Sequence, residues 1–201
     1  MSYTVIAIER EYASGGSEIG EKLAEKLGIP CYGQEILEMA AEQLNMSPEE
    51  LRDSEENMTG SFLYSMAMLS KIASGSEPDY ISIEQKLIFV EADIIRKVSI
   101  NPCVIVGRGA AALFKDKAKV LKVFIHSDYN ARTDRTINVY GTDPNQADSV
   151  LHRCDKRRSH FFKVATNEGW KDQNLYHLFL NSGKLGIEET INILYTAYSA
   201  N

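Results

Sequence analysis

Arginines and a run of small residues are the groups in this chain best suited to chemistry. Ser14, Gly15, Gly16 and Ser17 lie between an apolar run, Tyr3–Ile8, and an amphipathic segment with Ile19, Leu23, Ala24 and Leu27 at helical spacing. A strand, a tight glycine turn and a helix in that order aim backbone N–H groups and the positive end of the helix dipole at one spot, where an anion such as phosphate can sit. The phosphate-loop pattern G-x-x-x-x-G-K-[ST] can be laid over Arg10–Ser17. Gly15 and Ser17 fit it, while Arg10 replaces the first glycine and Gly16 the lysine. Over this stretch alone, an ordinary turn between a strand and a helix would read the same way.

The arginines lie elsewhere in the chain. Arg108 follows the apolar run Cys103–Gly107 and is flanked by glycines, which let a ligand approach the backbone closely. Arg132 and Arg135 are one turn apart on a helix predicted over Asp128–Tyr140. Arg153, Lys156, Arg157 and Arg158 cluster on a helix predicted over Pro144–Phe162. Guanidinium forks match phosphoryl oxygens, so this last cluster reads as a phosphate clamp, and Arg108 as a ligand-facing group. The alternative is a solvated basic face paired with Asp155 and other acids, and a plain surface role for Arg108. His126 is expected to end a strand and bond locally, and no second His or Cys stands at metal-ligand spacing.

The elements that must position these groups alternate. Strands are predicted at Tyr3–Ile8, Ile29–Tyr32, Cys103–Gly107, Val120–Ile125 and Leu175–Asn181, with helices between them. That alternation implies an α/β fold with a parallel sheet and right-handed crossovers. Ligands of such sheets bind beyond the carboxyl ends of the strands, which places Glu9–Ser17, Arg108 and His126 on one rim. Ser17 is expected to cap the first helix and Gly28 to stop it. Helices are also predicted at Gln34–Leu44, Ile81–Val98 and Gly186–Tyr198, and Ser47-Pro48-Glu49-Glu50 reads as a capping box. From Arg52 to Tyr80 the signal weakens around a Met-rich segment, Met58–Met68. This reads as a helical insertion in which Met fills irregular gaps, or else as a substrate lid or a homodimer surface.

Composition sets outer limits. The chain has 201 residues, 44% hydrophobic and 25% charged, which suits one globular domain with a substantial core. A net charge of -6 argues against a nucleic-acid polymer or an anionic membrane as partner for the whole surface, while leaving room for a local basic pocket. No apolar run is long enough to span a bilayer, and the N-terminus lacks a signal-peptide pattern. Cys31, Cys103 and Cys154 form no C-x-x-C pair, so free thiols and a cytoplasmic location are expected.

Four segments, in this order and at this spacing, resemble the cytidylate kinase-like family of P-loop proteins. IAIEREYASGGSEIGEKLAEKLGI is similar to that family's altered phosphate loop, and VIVGRGAA to the strand-end Gly-Arg of cytidylate kinases. LKVFIHSDYNARTDR is similar to their strand and helix with paired arginines, and DKRRSHFFKVATNEGWKDQNLYHLFLNSGKLGIEE to their lid, Trp segment and final strand. The resemblance implies a three-layer P-loop nucleoside monophosphate kinase-like fold. It would carry a helical insertion at about residues 45–100 and a lid at about 143–172. It implies phosphoryl transfer from ATP-Mg to a small acceptor such as CMP, or nucleotide binding without catalysis on the same fold. By the same resemblance, the backbone of Ala13, Ser14, Gly15, Gly16 and Ser17 would hold the donor phosphates, with the Ser17 hydroxyl at the Mg2+ position. Arg108, Arg132 and Arg135 would serve the acceptor, and Arg157 and Arg158 would close over the transferred group. Gly16 stands where ordinary loops carry lysine, and Gly109 stands where cytidylate kinases carry Asp after the arginine. For the missing lysine charge, Arg10 is the candidate substitute; pairing with Glu9, Glu11 or Glu18 is its other reading.

Overall fold

The computed structural model of the chain describes residues 3–51 and 82–200. Five parallel strands form one sheet in the order β2-β3-β1-β4-β5. They are β1 Val5–Arg10, β2 Cys31–Tyr32, β3 Cys103–Val106, β4 Val120–His126 and β5 Leu178–Asn181. The helices that lie wholly within the described residues are α1 Gly16–Leu27, α2 Gln34–Leu44, α3 Ile83–Val98, α4 Ala110–Leu113, α5 Tyr129–Asn138, α6 Pro144–Thr166, α7 Ser182–Leu185 and α8 Ile187–Ser199.

The apolar runs of the central strands are buried on both faces, because successive side chains point to opposite sides. Ile6 and Ile8 of β1, with Val104, Val123 and Ile125, pack against Ile19 and Leu23 of α1 and Leu194 of α8. Val5 and Ala7, with Ile105 and Phe124, pack against Ile36 and Leu37 of α2, Leu87 and Ile95 of α3 and Phe162 of α6. The result is a three-layer α/β fold. Stacked and edge-on rings close the second layer near its edge: Phe124 lies 4.6 Å from Phe179, 5.2 Å from Tyr176 and 5.3 Å from Trp170.

Local signals set the helix ends. Gly28 takes the left-handed conformation that ends α1, and Ser82 with Gln85 forms a capping box on α3. The Ser47–Glu50 box is reciprocal: Glu50 N–H donates to Ser47 Oγ at 3.2 Å and Ser47 N–H to Glu50 Oε2 at 2.9 Å.

Several expectations are corrected. β1 runs on through Glu9 and Arg10, which pair with Phe124 and Ile125 of β4 although the apolar run has ended. Ser17 does not cap α1; Gly15 does, in a left-handed conformation and with no side-chain bond. α6 continues to Thr166, because Phe162 and Val164 lie on its buried side and Asn167 stops it. The last strand is confined to Leu178–Asn181, since Gln173–Leu175 winds into a 3₁₀ turn. Met58–Met68 lies outside the described residues.

Candidate active site

β1 delivers the chain to a loop, Glu11–Gly15, at the carboxyl edge of the sheet. Ala13 and Gly15 both take positive φ, 58° and 77°, which folds the loop back over the start of α1. The first loop-to-helix bond runs from Ile19 N–H to Gly15 O at 2.9 Å, so the amides of the first turn are free of any capping side chain. The loop is fastened from beneath. Ser14 Oγ donates to Glu11 O at 2.9 Å, and Ser182 Oγ donates to Ser14 O at 2.6 Å and lies 3.0 Å from His126 O. The result is a loop fastened from below whose free amides have the arrangement that can hold an anion.

A charged network braces the side of this loop. Arg132 Nη1 donates to Asp155 Oδ2 at 2.6 Å and to the Tyr12 carbonyl at 3.3 Å, while Asp155 Oδ1 accepts from Tyr12 N–H at 2.7 Å. Glu11, 7% exposed, pairs with Lys171 and lies 3.4 Å from Arg132 Nε. Arg135 pairs with Glu18 in the first turn of α1 and lies 5.7 Å from the Tyr140 ring. Arg132 and Arg135 are therefore committed to carboxylates around the loop, and neither lines the cleft that Arg108 faces.

Arg10 is the loop's own cation. A Cβ on Gly16 would stand 2.5 Å from Arg10 Cβ and 2.9 Å from its Cγ, and a Cβ on Gly107 would collide with Arg10 Nη1. The side chain thus runs over Gly16, passes Ser17 Oγ at 3.5 Å from its Nε, and ends against Gly107. Among the described residues it forms no ion pair: Glu11 and Glu18 are taken by Lys171, Arg132, Arg135 and Lys22. Burial, followed by the neighbouring Arg158 charge, draws its pKa down to about 9, which leaves it charged at neutral pH.

Beyond Arg10 opens a cleft of about 260 Å³, walled by Glu9, Arg10, Arg108, Arg157, Arg158 and the Phe161–Phe162 pair. Gly107, Arg108 and Gly109 all take positive φ, at 80°, 61° and 69°, a tight left-handed turn off the end of β3. That turn points Arg108 back to Glu91 of α3, with Nη1 3.0 Å from Oε1. Arg158 Nη1 donates to the Arg10 carbonyl at 3.1 Å, and its guanidinium lies 5.7 Å from the Tyr12 ring. Arg157, next to it on α6, is exposed.

The sequence places Glu9 on the ligand rim and offers it as a partner for Arg10, with no role of its own. Glu9 shares the inward face of β1 with Val5 and Ala7 and is 3% exposed. Trp170 Nε1 donates to Oε2 at 3.4 Å, and Oε1 has no partner of hydrogen-bonding geometry among the described residues. Burial pushes its pKa up to about 7 against the opposing pull of Arg10, Trp170, Arg158 and the Gly109 amide. The signal was present in the sequence: a carboxylate in phase with the buried residues of an apolar strand. Tyr12 and Asp155, which hold the loop to α6, carried no comparable signal.

The loop amides with Arg10 and Arg158 suit nucleotide phosphates in charge and donor number. Among the described residues no group of three or more His, Cys, Asp and Glu could hold a metal. A magnesium ion at this loop would take its ligands from phosphate oxygens, water and the Ser17 hydroxyl. No helix among the described residues is long and apolar enough to cross a membrane.

The fold recurs in solved structures. An uncharacterized protein from Eubacterium ventriosum ATCC 27560 is 22% identical with a TM-score of 0.71, over 98% of this chain and 99% of that one. Shikimate kinase from Bacteroides thetaiotaomicron is 15% identical with a TM-score of 0.57, over 98% of both chains. Shikimate kinase from Acinetobacter baumannii, in complex with shikimate, is 10% identical with a TM-score of 0.52, over 99% of this chain and 94% of that one. At these identities the likeness concerns the fold. No curated protein sequence matches the chain. The model of the cytidylate kinase-like family matches residues 5–184, and with the loop, the strand-end arginine and the arginine-bearing α6 all in place, the chain belongs to that family.

Proposed function

We propose that this protein transfers a phosphoryl group from ATP-Mg to a small anionic acceptor held in the Arg108 cleft. The observation that carries this reading is the convergence of Arg10, Arg108 and Arg158 on the cleft beside the amide cradle. Ala13–Ser17 would hold the donor phosphates, Ser17 the magnesium ion, and Arg108 and Arg157 the acceptor's anionic group. Arg10 and Arg158 supply positive charge where it gathers on the oxygens of the transferred group. Phosphoryl transfer needs little from a protein beyond positioning and charge neutralisation, and no covalent intermediate is required. Membership of a cytidylate kinase-like family and the shikimate kinase-like fold support a phosphotransferase, and make CMP the first acceptor to assay.

The second reading is a nucleotide-binding protein without turnover. Gly16 favours it, since that position offers only a backbone N–H in place of a lysine charge. A coupled ADP-release assay with ATP-Mg and a panel of acceptors separates the two. Transfer to any acceptor supports the first, and tight ATP binding with no transfer, even to water, supports the second.

A further inference from the structure

Glu9 is the group in the cleft that holding phosphate does not explain. Every other polar group projecting there from β1, the β3 turn and α6 is a cation or Tyr12 or Cys154, and a carboxylate among them would repel an incoming anion. Glu9 is among the residues walling the cleft; its Oε2 is engaged by Trp170, whereas Oε1 is buried and has no partner of hydrogen-bonding geometry among the described residues. A buried carboxyl oxygen without a donor is costly, and such a site persists where a ligand completes it.

We propose that Glu9 is the general base of this site and that the acceptor attacks through a hydroxyl group, the arginines holding an anionic group elsewhere on the same molecule. The proposal rests on the phosphotransferase reading above and narrows its substrate class to small hydroxylated anions. In the step, the hydroxyl donates its hydrogen bond to the Glu9 carboxylate. Its oxygen forms a bond to the γ-phosphorus of ATP, and the bond from that phosphorus to the β,γ-bridging oxygen breaks. ADP leaves with the electron pair, and the hydroxyl proton passes to the Glu9 carboxylate and then to water. The products are the phosphorylated acceptor, ADP and a proton. A nucleoside monophosphate would need no such base, because its attacking phosphate oxygen carries no proton at neutral pH.

Position and environment suit the role. Glu9 and Arg10 both wall the cleft, and Arg10 also lines the recess beside the loop, which joins the two spaces. Arg10 from β1 and Arg158 from α6 favour its ionised form, and Tyr176 beside β5 faces it from the aromatic layer. Arg108 on the opposite wall is itself paired with Glu91. A folded pKa raised to about 7 makes the carboxylate a far better proton acceptor than an exposed glutamate, while leaving much of it ionised at neutral pH.

The test measures single-turnover transfer from γ-labelled ATP-Mg to CMP, cytidine, D-glycerate, D-gluconate, ribose 5-phosphate and water. Wild type is compared with Glu9→Gln and Glu9→Asp, and ATP affinity and thermal midpoint are recorded for each. The expected result is transfer to at least one hydroxyl acceptor, water included, falling at least 100-fold in Glu9→Gln with ATP affinity retained. The wild-type rate should drop tenfold per pH unit below about 7, and this limb should vanish in the residual activity of Glu9→Gln. Glu9→Asp, which keeps the carboxyl and shifts its reach, should keep the limb at a reduced rate. Transfer to CMP alone, or a Glu9→Gln rate equal to wild type, overturns the role of Glu9 and leaves the phosphotransferase standing. ATP binding without transfer to anything, water included, overturns both.

Discussion

The Arg10 side chain lies across the face of Gly16, so close that a Cβ on Gly16 would stand 2.5 Å from Arg10 Cβ. Laid over the phosphate-loop pattern, Arg10 stands at the first glycine and Gly16 at the lysine, and Gly16 leaves the room that the Arg10 side chain fills. Gly16→Lys alone is expected to destabilise the fold by about 1–3 kcal/mol, as overpacking does. In the presence of Arg10→Gly the space is open, and at least about 1 kcal/mol of that loss should be recovered as coupling. Urea unfolding of wild type, both single variants and the double variant measures it, and additive losses would break the steric link.

If Arg10 does the work of the missing lysine, its contribution belongs mainly to the transition state. Arg10→Ala is then expected to lower turnover about 100-fold, in the range for loss of one preorganised charge donor. ATP affinity should fall much less, because the loop amides and the helix dipole remain. Steady-state kinetics beside calorimetric ATP titration decide this; a loss confined to affinity would make Arg10 a binding group only.

Glu9 ties stability to pH. Its folded pKa of about 7 lies above the ordinary value of 4.5, so folding favours the protonated carboxyl. That contribution is fully present below pH 4.5 and is lost as pH rises through 7, a decline of up to about 3 kcal/mol across the window. Glu18 and Asp128 are held below their ordinary values by their partners and lose their contributions only at lower pH. The stability difference between wild type and Glu9→Gln should therefore change steadily between pH 5 and 8. Denaturant midpoints at four pH values in that range test it, and a constant difference would place the carboxyl in a wetter setting.

Ala13 holds a left-handed backbone, φ 58°, that costs a non-glycine residue about 1–2 kcal/mol. Glycine removes that strain but loses about 0.5–1 kcal/mol in unfolded-state entropy. Ala13→Gly is expected to raise stability by up to about 1 kcal/mol, seen as a higher thermal midpoint; a lower midpoint would show that the Ala13 methyl, 6% exposed as a residue, contributes packing that outweighs the strain.

Much of the scaffold was legible because its signals are local. Apolar runs such as Cys103–Val106 could only be buried strands, and Gly28 and the Ser47–Glu50 box marked helix ends on the chemistry of their own side chains. The rim followed from topology: strand ends of a parallel sheet gather Arg10, Arg108 and the loop whatever their neighbours. Partner choice was not legible. The family resemblance assigns Arg132 and Arg135 to the acceptor, while Asp155 and Glu18 approach them from distant segments and hold them beside the loop. The path of Arg10 was equally hidden, since it depends on the missing side chains of Gly16 and Gly107, which lie 91 positions apart in the chain but together in space.

Arg157 and Arg158 are adjacent, and on a helix they point about 100° apart, so they cannot serve one phosphate equally. The structure separates them. Arg158 is tied to the loop through its bond to the Arg10 carbonyl at 3.1 Å and its place over Tyr12, and burial holds its pKa below the usual value. Its guanidinium reaches both the cleft and the recess beside the cradle, whereas the exposed Arg157 lines the cleft alone. Arg158→Ala removes a charge from the cleft wall and also the tie between α6 and the loop. It is expected to lower turnover about 10–100-fold. Lysine should restore little of this, because a single ammonium cannot both bond the Arg10 carbonyl and stack on the Tyr12 ring as a planar fork does. Arg157→Ala should chiefly raise KM for the acceptor and leave kcat within about threefold, the pattern of binding lost equally from ground and transition states. Steady-state kinetics on Arg157→Ala, Arg158→Ala and Arg158→Lys measure the split, and equal losses of turnover from the two alanine variants would mean that α6 turns in the working complex to present both.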